Sequence, residues 1–278
     1  MRILSETYSS VKTMRKYLTL AKLTFEEYFV YRLNFLLWRF RSFISFLTLL
    51  FFWLAIYGNK SGFLGYQKSQ MLTYVVGIAF LRGIVLGSRS VDLAGQVRSG
   101  ELSKVILAPL KIFQFWFTRD LVDKSLNLIF TLVEIALIIS LLKFPFYLPK
   151  NWETYFCFVV FVLLSMFLYF FLSFVLSLSA FWTEDVWAAR WLFGIIFLEF
   201  FAGAFFPIDV LPKTLAGIIN LTPFPYLVFF PLKIWLEQIT AGAALKAMVI
   251  CGLWLLFFYW LAKFLWQKGI KNYGAYGG

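Results

Sequence analysis

Long apolar segments separated by short polar ones dominate the pattern of this chain. A membrane-spanning helix needs about 20 apolar residues. Six segments approach or exceed that length, at about residues 42–57, 69–86, 121–142, 155–181, 187–206 and 247–265. Arg39 and Arg41 precede the first segment and can extend it by reaching the interface with their charged ends. The pattern predicts an all-α integral membrane protein with six transmembrane helices and with both termini on the same side.

The segment before the first span, about residues 11–34, has the pattern of an amphipathic helix. One side of its helical wheel carries Met14, Leu18, Ala21, Phe25, Tyr28 and Phe29. Charged and polar residues occupy the other side. Such a helix lies along the inner leaflet with its lysines near anionic lipid headgroups; a soluble helix packed on a partner protein is a compatible alternative. We expect no cleavable signal, because no short apolar region with a small-residue cleavage site precedes the first span.

The longest interior polar stretch, residues 88–111, separates the second span from the third. Ser90 can cap a short helix that closes at Gly100. A second short helix is expected over Glu101–Leu107, before Pro109 stops it. The stretch therefore predicts two short helices joined by a tight turn.

The region 207–238 is apolar but cannot form a continuous span. Five of the eight prolines lie here and divide it into pieces too short to cross a bilayer. We interpret it as a re-entrant or interfacial helical hairpin before the last span, on the outer side and covered by protein. An ordinary extracellular loop is the alternative, which the apolar composition disfavours.

Composition and charge agree with a membrane protein. The chain is 62% hydrophobic and only 14% charged, too few polar residues to cover a soluble globule. Its net charge of +12 does not indicate nucleic-acid binding, because the Lys and Arg residues cluster beside apolar spans. With the N-terminus inside, nineteen of the 26 Lys and Arg fall on the cytoplasmic side. The positive-inside rule therefore puts residues 88–111 and both termini in the cytoplasm.

Several kinds of chemistry are excluded by the residues that the chain lacks. It has no His, which removes histidine-based acid–base relays and haem ligation. Cys157 and Cys251 lie in apolar runs without ligand spacing, so we interpret both as buried apolar side chains. No Gly-Lys dipeptide occurs, so there is no phosphate-binding loop. Any function driven by a nucleotide would therefore require a partner protein.

Two stretches carry a family resemblance. The run VRSGELSKVILAPLKIFQFWFTRDL, from Val97 to Leu121, resembles the loop after the second span of ABC type-2 permeases, in which a Gly-Glu-Leu and a Leu-x-x-Pro recur. The run GAFFPIDVLPKTLAGIINLTPFPYLVFFPLKIW, from Gly203 to Trp235, is similar to that family's segment before the last span. Both occur in the right order among six spans, so the resemblance covers nearly the whole chain, 1–278, as one transmembrane domain.

The resemblance implies an export permease that pairs with a second permease subunit, the same or homologous, and with two cytoplasmic ABC ATPase subunits. ATP and Mg would bind to the ATPase, and this chain would hold no cofactor, metal or catalytic residue and bind no nucleic acid. The residues implied in coupling to the ATPase are Asp92, Arg98, Gly100, Glu101, Leu102 and Pro109. Glu101 is the best candidate for a charge pair with the ATPase, whereas Gly100 and Pro109 equally well fold a tight loop.

Ionisable residues inside the predicted spans are candidates for the transport pathway. A charge at mid-membrane costs about 2.5–3.5 kcal/mol on insertion scales, so each should face protein or water. A substrate or proton role competes with a hydrogen bond between helices by a protonated carboxyl, and Arg82 can instead reach the headgroups. The fifth span lines the pathway in the family that this chain resembles. The candidate pathway residues are Glu199, Glu134, Trp191 and Phe200, although aromatic side chains more often pack or face lipid.

The interpretation that follows is the permease subunit of an ATP-driven exporter, moving an amphipathic drug, lipid or glycolipid-like substrate outward by alternating access. We expect it in the plasma membrane of a bacterium, in contact with membrane lipids. One alternative is an ion-coupled carrier without an ATPase, which would need intramembrane carboxylates and usually internal repeats. The chain offers only two deep carboxylates and no visible repeat. Another is a membrane anchor or assembly factor that transports nothing.

Overall fold

The computed structural model describes the backbone of residues 2–183 and 193–273, and the side chains of residues 14–183, 193, 194 and 197–273. The helices are α1 (Arg2–Val30), α2 (Arg32–Tyr57), α3 (Lys68–Ile84), α4 (Asp92–Ser99), α5 (Leu102–Leu107), α6 (Ile112–Leu142), α7 (Trp152–Leu178), α8 (Lys213–Asn220), α9 (Phe229–Trp235) and α10 (Ala241–Tyr273). Short 3-10 turns cover Arg89–Val91, Ser179–Phe181, Ile208–Val210 and Phe224–Tyr226, and Phe193–Phe201 is π-helical. A two-stranded antiparallel hairpin joins β1 (Gly62–Phe63) to β2 (Tyr66–Gln67).

The long helices have the length and apolarity of membrane spans. Among the described residues, α2, α6, α7 with its following turn, and α10 each qualify by length and composition. A fifth crossing is obtained if α3 and Arg89–Ser99, which bend by 50° at a short break, are counted as one. The predicted span over residues 187–206 lies partly outside the described residues. The protein is thus an all-α, multi-pass integral membrane protein, with four or five spans visible in this part of the chain.

Several helices extend beyond the predicted spans. α2 begins at Arg32 rather than at residue 42, and α6 begins at Ile112 rather than at residue 121. α10 covers Ala241–Tyr273 where only residues 247–265 were predicted. Span prediction stops at charged residues, whereas a helix continues through them where their side chains pair inside the protein or reach water. α1 is also longer than predicted, starting at Arg2 and ending at Val30.

Helix α3 is central to the main core, although with 17 residues it is shorter than α2, α6, α7 and α10. It packs between α2 and α6 and also contacts α9, and more than half of its residues are buried. Gly77 permits one of these contacts, because a Cβ at this position would overlap the end of Leu232 on α9. The close approach of α9 therefore depends on a residue without a side chain.

A second apolar cluster lies where the 88–111 loop meets the ends of the long helices. Its buried members are Leu93, Leu102, Phe115, Trp116, Phe170, Phe174, Leu178, Phe181 and Ala262. They come from α4, α5, α6, α7 with its 3-10 turn, and α10. The loop is consequently a packed part of the protein rather than a free connection.

The segment 202–238 consists of short helices and turns, as its prolines predict, and polar side chains from the long helices satisfy its broken backbone. Tyr74 on α3 donates to the carbonyl of Gly203 at 2.8 Å. Trp53 on α2 donates to the carbonyl of Phe205 at 3.2 Å, and Ser165 on α7 donates to the carbonyl of Tyr226 at 2.6 Å. These bonds meet the requirement that irregular backbone be covered by protein when it lies at membrane depth.

Two ionisable residues fix the far end of this segment. Buried Lys233 on α9 donates to Asp209 at 2.7 Å and to Gln238 at 2.7 Å. Glu237 accepts hydrogen bonds from the Tyr147 hydroxyl at 2.7 Å and the Thr154 hydroxyl at 3.1 Å. It also accepts from the backbone N–H groups of residues 150 and 151 and from the Asn151 amide. One carboxylate thus joins the loop before α7 to the loop before α10.

The hydrogen bond from Tyr147 is the main reason that the pKa of Glu237 lies below its ordinary value of 4.5. The same bond, with a smaller effect of burial, raises the pKa of Tyr147 to about 12. A carboxylate whose pKa is lowered on folding contributes stability that is present above the ordinary pKa and is lost as the pH falls through the lowered value. The bonds around Glu237 are therefore complete at neutral pH.

A first prediction concerns Gly269 in α10, where a Cβ would overlap the ring of Phe181. We expect Gly269→Ala to destabilise the protein by about 1–3 kcal/mol through overpacking. Gly252→Ala in the same helix is the matched control, since no atom lies within 4 Å of its added Cβ. Thermal unfolding in mild detergent compares the two. Equal unfolding temperatures for both variants would contradict the close contact between Gly269 and the ring of Phe181.

A second prediction follows from Glu237. We expect Glu237→Gln to lower the unfolding temperature at pH 7, and the gap between wild type and variant to narrow as the pH falls below about 4.5. The narrowing follows because protonation removes the same negative charge from the wild type. Glu153→Gln, at an exposed glutamate in the first turn of α7, controls for loss of a nearby charge. A gap that widens at acidic pH would show that the sign of the pKa shift is wrong.

Candidate functional site

The 88–111 loop folds as two short helices joined by a glycine turn, as its sequence predicts. α4 ends at Gly100, whose φ of +75° is the left-handed conformation that closes helices and favours glycine. α5 follows directly and ends before Pro109. The cap differs from the prediction, because the Ser88 hydroxyl, not that of Ser90, accepts the N-terminal hydrogen bond. The buried Ser90 hydroxyl instead contacts Ser173 on α7 at 3.1 Å.

The inner face of the loop is apolar and buried. Leu93 and Ala94 of α4 and Leu102 of α5 belong to this face, and Leu93 and Leu102 have no exposed surface. Leu102, a predicted coupling residue, therefore shapes the loop and presents nothing to a partner. A charge at this position would disturb the fold, so Leu102 does not report on docking.

The outer face combines exposed apolar and charged side chains. Leu107, at the end of α5, is 84% exposed, and its neighbour Ile106 is 40% exposed. Among the predicted coupling residues, Arg98, Gly100, Glu101 and Pro109 are also exposed. Glu101 pairs with Lys104 at 3.0 Å within the loop, and both side chains reach solvent. Asp92 lies nearer the base, 3.3 Å from Arg89.

A junction of charged side chains, here called the Glu27 junction, connects this loop to α1 and α6. Glu27 on α1 accepts hydrogen bonds from Arg89 at 2.9 Å and from Arg119 on α6 at 2.5 Å. Beside it, the Tyr28 hydroxyl donates to the Asp123 carboxylate on α6. One carboxylate thus bridges two guanidinium groups and joins the loop to α1 and α6.

The charges around Arg89 favour its charged form. Burial lowers the pKa of Arg89, but Asp92, Tyr28, Asp123 and Glu27 together raise it above the ordinary value. Burial, followed by the charge of Asp123, raises the pKa of the Tyr28 hydroxyl, which stays neutral and can donate. The junction is a network of charge-assisted hydrogen bonds, stronger than neutral ones.

The base of the loop is held by a second charged pair on α6. The backbone N–H of Arg89 donates to Asp120 at 2.9 Å. Lys124 lies 3.3 Å from Asp120 and donates to the carbonyl of Gly87. Both Asp120 and Lys124 are buried. They satisfy backbone groups at the point where the chain leaves α3 and turns into the loop.

Tyr273, in the last turn of α10, contacts the turn between α4 and α5. Its hydroxyl donates to the carbonyl of Gly100 at 2.7 Å and accepts from the N–H of Ser103 at 3.2 Å. Its ring packs edge-on against Phe181 with centroids 6.1 Å apart. The glycine turn is thereby fixed to the final helix.

Sequence reasoning did not identify Glu27, Arg89, Arg119, Asp120 or Tyr273 as site residues. One signal was present, since residues 119–124 contain four charges at the head of an apolar segment. Charges there require partners when the helix is packed against protein. The identity of those partners depends on how α1 lies across α6, which no local pattern gives.

The candidate pathway carboxylates each pair with an arginine on another element. Glu134 on α6 lies 2.5 Å from Arg39 on α2, and Arg39 also donates to Asn127 and Thr131 at 3.2 and 3.3 Å. Glu199 in the π-helical segment pairs with Arg82 on α3. Both pairs connect different elements of the chain. At both positions the partner of the carboxyl is an arginine side chain.

The structure describes three of the four pathway candidates, Glu134, Glu199 and Phe200, and it does not join the two carboxylates. Glu134 and Glu199 belong to separate ion pairs on different helices. The Phe200 ring packs against Phe206, with centroids 5.3 Å apart. Trp191 lies outside the described residues. Within residues 2–183 and 193–273, no group of three or more His, Cys, Asp or Glu is arranged to hold a metal ion.

Comparison with known proteins identifies the family. The family described as ABC-2 family transporter protein matches residues 43–277, which include the 88–111 loop and all long helices after α1 except the start of α2. No curated protein and no solved structure matches the chain. Members of this family are transmembrane permease subunits without catalytic activity of their own, and they associate with an ABC ATPase. The chain belongs to the ABC-2 family of transporter proteins.

Proposed function

We propose that this protein is the permease subunit of an ATP-driven exporter and that its 88–111 loop receives the ATPase. One observation carries the proposal. The loop has a buried face fixed to α6, α7 and α10, and an exposed face with apolar and charged side chains. A push on the exposed face would therefore be transmitted to long helices rather than absorbed by a mobile connection.

In the proposed topology six spans cross the plasma membrane of a bacterium, and both termini and the 88–111 loop are cytoplasmic. Residues 207–238 form the re-entrant hairpin on the outer side. The excess of Lys and Arg around the loop and before the first span supports this orientation. The bonds from Tyr74, Trp53 and Ser165 to the broken backbone support a hairpin inserted among the spans.

The docking surface is the exposed face of α4, α5 and the turn between them. Ile106 and Leu107 provide an apolar contact that a cleft on the ATPase would bury, and Arg98 and Glu101 supply charge at its edge. Exposed apolar side chains rimmed by polar residues are typical of protein interfaces. Gly100 and Pro109 set the shape of this surface, and Asp92 helps to hold its base.

The Glu27 junction is the proposed transmission element. It links the loop to α1 and α6 through two guanidinium groups on one carboxylate. Closure of two ATPase subunits, which bind ATP and Mg, would move the loop and, through this junction, carry α1 and the first turns of α6 with it. A second permease subunit, identical or homologous, completes the complex.

For the pathway we propose the region around Arg82 and Glu199, with Phe200 and Trp191 in the same segment of the chain. The Arg82–Glu199 pair joins α3 to the π-helical segment and is partly exposed, so it can open when these elements separate. Alternating access would expose the path first inward and then outward. An amphipathic drug, lipid or glycolipid-like molecule suits a route with both an ion pair and aromatic walls.

An ion-coupled carrier that acts without an ATPase is the main competing function. It would use deep carboxylates that bind and release ions. Glu134 and Glu199 each form an ion pair with an arginine, so neither carboxylate is a free ligand for a metal cation. A membrane anchor that transports nothing would not require the loop to be fixed to three helices. Substrate movement by the chain alone, driven by an ion gradient, would overturn the proposal.

The docking surface gives a third prediction, that Leu107→Asp weakens binding of the ATPase at least tenfold. Burial of a leucine contributes about 1.5–3 kcal/mol, which corresponds to about 10–150-fold in affinity. The full chain is purified from native membranes, and the amount of a coeluting protein that 8-azido-ATP labels is measured. Leu221→Asp, at a leucine that is 77% exposed but far from the loop in the chain, is the matched control.

The same measurement applies to Glu101→Ala, for which a loss of several-fold is expected because only an exposed charge is removed. Unchanged recovery of the labelled protein in Leu107→Asp would contradict docking at this surface. Equal losses in Leu107→Asp and Leu221→Asp would show a general effect of the added charge instead.

The Glu27 junction gives a fourth prediction. We expect Glu27→Gln to destabilise the protein by about 1–3 kcal/mol, because two arginines lose a charged partner. Hydrogen exchange of the backbone in Arg89–Ser99 should accelerate at least fivefold, while exchange in the centre of α7 stays unchanged. Binding of the 8-azido-ATP-labelled protein should persist, since the docking surface is intact.

Glu26→Gln is the matched control for this experiment. Glu26 is the preceding residue, is half exposed, and lies 3.8 Å from Lys22, so its loss should change stability by less than about 0.5 kcal/mol. If Glu27→Gln and Glu26→Gln accelerate hydrogen exchange in the loop equally, the Glu27 junction has no special role in holding the loop.

A further inference from the structure

A long groove lies between α1 and α6. Its volume is about 540 Å³, within the range of cavities that hold small molecules. One wall is the α1 stripe Met14, Tyr17, Leu18, Ala21, Lys22 and Phe25. The other wall is the α6 stripe Thr118, Leu121, Val122, Ser125, Leu126 and Ile129.

The two walls are regular and of matched length. Each spans twelve residues at helical spacing, which is eleven steps of 1.5 Å, so each wall is about 16 Å long. This length is close to half of the roughly 30 Å hydrocarbon core of a bilayer. The groove therefore has the length of one leaflet and is lined mainly by apolar side chains.

The groove continues into a surface that faces the membrane. Its α6 wall lies within a helix that qualifies as a span, and the following exposed residues Ile129, Leu132 and Val133 are apolar. A soluble protein segment cannot follow the groove into that region. An occupant must itself be a component of the bilayer or lie within it.

The α1 side of the groove supplies the positive charge. Lys22 lines the groove and its side chain is 77% exposed. Its pairing with Glu26 is at 3.8 Å between exposed groups, which leaves the ammonium available to another anion. A hydrogen bond of 2.5 Å from Tyr17 to Gln114 joins the helices near one end and keeps the walls together.

We propose that the α1–α6 groove is a binding site for an anionic glycerophospholipid of the inner leaflet. One acyl chain fills the groove between the two helices, and the phosphate lies at Lys22. The length, the apolar walls and the lysine at the rim each match one part of that molecule. The site requires α1 beside α6 in the inner leaflet but does not depend on ATP-driven export, so it goes beyond the proposed function.

The test uses the full chain in nanodiscs of phosphatidylcholine with phosphatidylglycerol. A trace of phosphatidylglycerol with a diazirine in its acyl chain is photolysed, and the labelled peptides are identified by mass spectrometry. We expect peptides 14–25 and 118–129 to carry at least threefold more label than residues 249–257 of α10, which include the exposed, apolar Val249, Leu253, Leu256 and Phe257. A phosphatidylcholine probe with the same acyl chain measures the headgroup preference.

Three variants separate the parts of the site. Ala21→Trp and Ser125→Trp fill the groove from opposite walls, and each should reduce labelling of these peptides at least fivefold. Two variants are used because one of them alone could disturb the packing of α1. Lys22→Gln should retain labelling by the phosphatidylcholine probe. The ratio of phosphatidylglycerol to phosphatidylcholine labelling should fall to near one. Val249→Trp on α10 controls for a tryptophan on an apolar surface and should leave the pattern unchanged.

Three outcomes would overturn the proposal. Label spread evenly over α6 and α10 would mean that lipid contacts the apolar surface non-specifically and does not bind in the groove. Crosslinks between α1 and α6 of two chains would show a second copy in the groove. Labelling that survives both tryptophan variants would place the lipid elsewhere.

Discussion

The pairing of charges between helices is the constraint on which the rest of this structure depends. An apolar protein in a bilayer has few polar contacts, so a charge between helices must find a partner within the chain. Glu27 bridges two arginines, Glu134 pairs with Arg39, and Glu199 pairs with Arg82. Apolar packing in the membrane does not specify which helices meet, because lipid tails are as apolar as leucine. The ion pairs specify which helices meet, because each pair joins side chains from different elements.

These pairs divide the molecule into parts that differ in their freedom to move relative to one another. The 88–111 loop, α1 and the first turns of α6 share the Glu27 junction, and the buried cluster around Leu102 joins the loop to α7 and α10. These parts form one unit at one end of the molecule. At the other end, Lys233 and Glu237 fix the short helices and the loops beside them. Between the two ends, the Arg82–Glu199 contact joins α3 to the π-helical segment through one pair. The proposed movement would occur there.

The sequence was sufficient for features that depend on local composition. The length of the apolar segments predicted most of the long helices, and Gly100 and Pro109 predicted the boundaries of the loop helices. The prolines predicted the broken segment after residue 206. It was insufficient where a feature depends on distant contacts. The early start of α6 follows from the partners of Arg119 and Asp120, and the burial of Leu102 follows from aromatic residues on α6 and α7. The β-hairpin at Leu64 and Gly65, both with positive φ, was also missed, since a leucine there gives no turn signal.

The contact of Tyr273 with Gly100 has a consequence for how the protein is made. The two residues are 173 positions apart, so the glycine turn receives its last hydrogen bond only after the final helix exists. At ribosomal speeds of about 5–20 residues per second, roughly 10–30 seconds separate the synthesis of the turn from that of its partner. During this interval the proposed docking surface lacks this hydrogen bond. A nascent or truncated chain would therefore present an altered surface, and assembly with a partner would favour chains that have been completed.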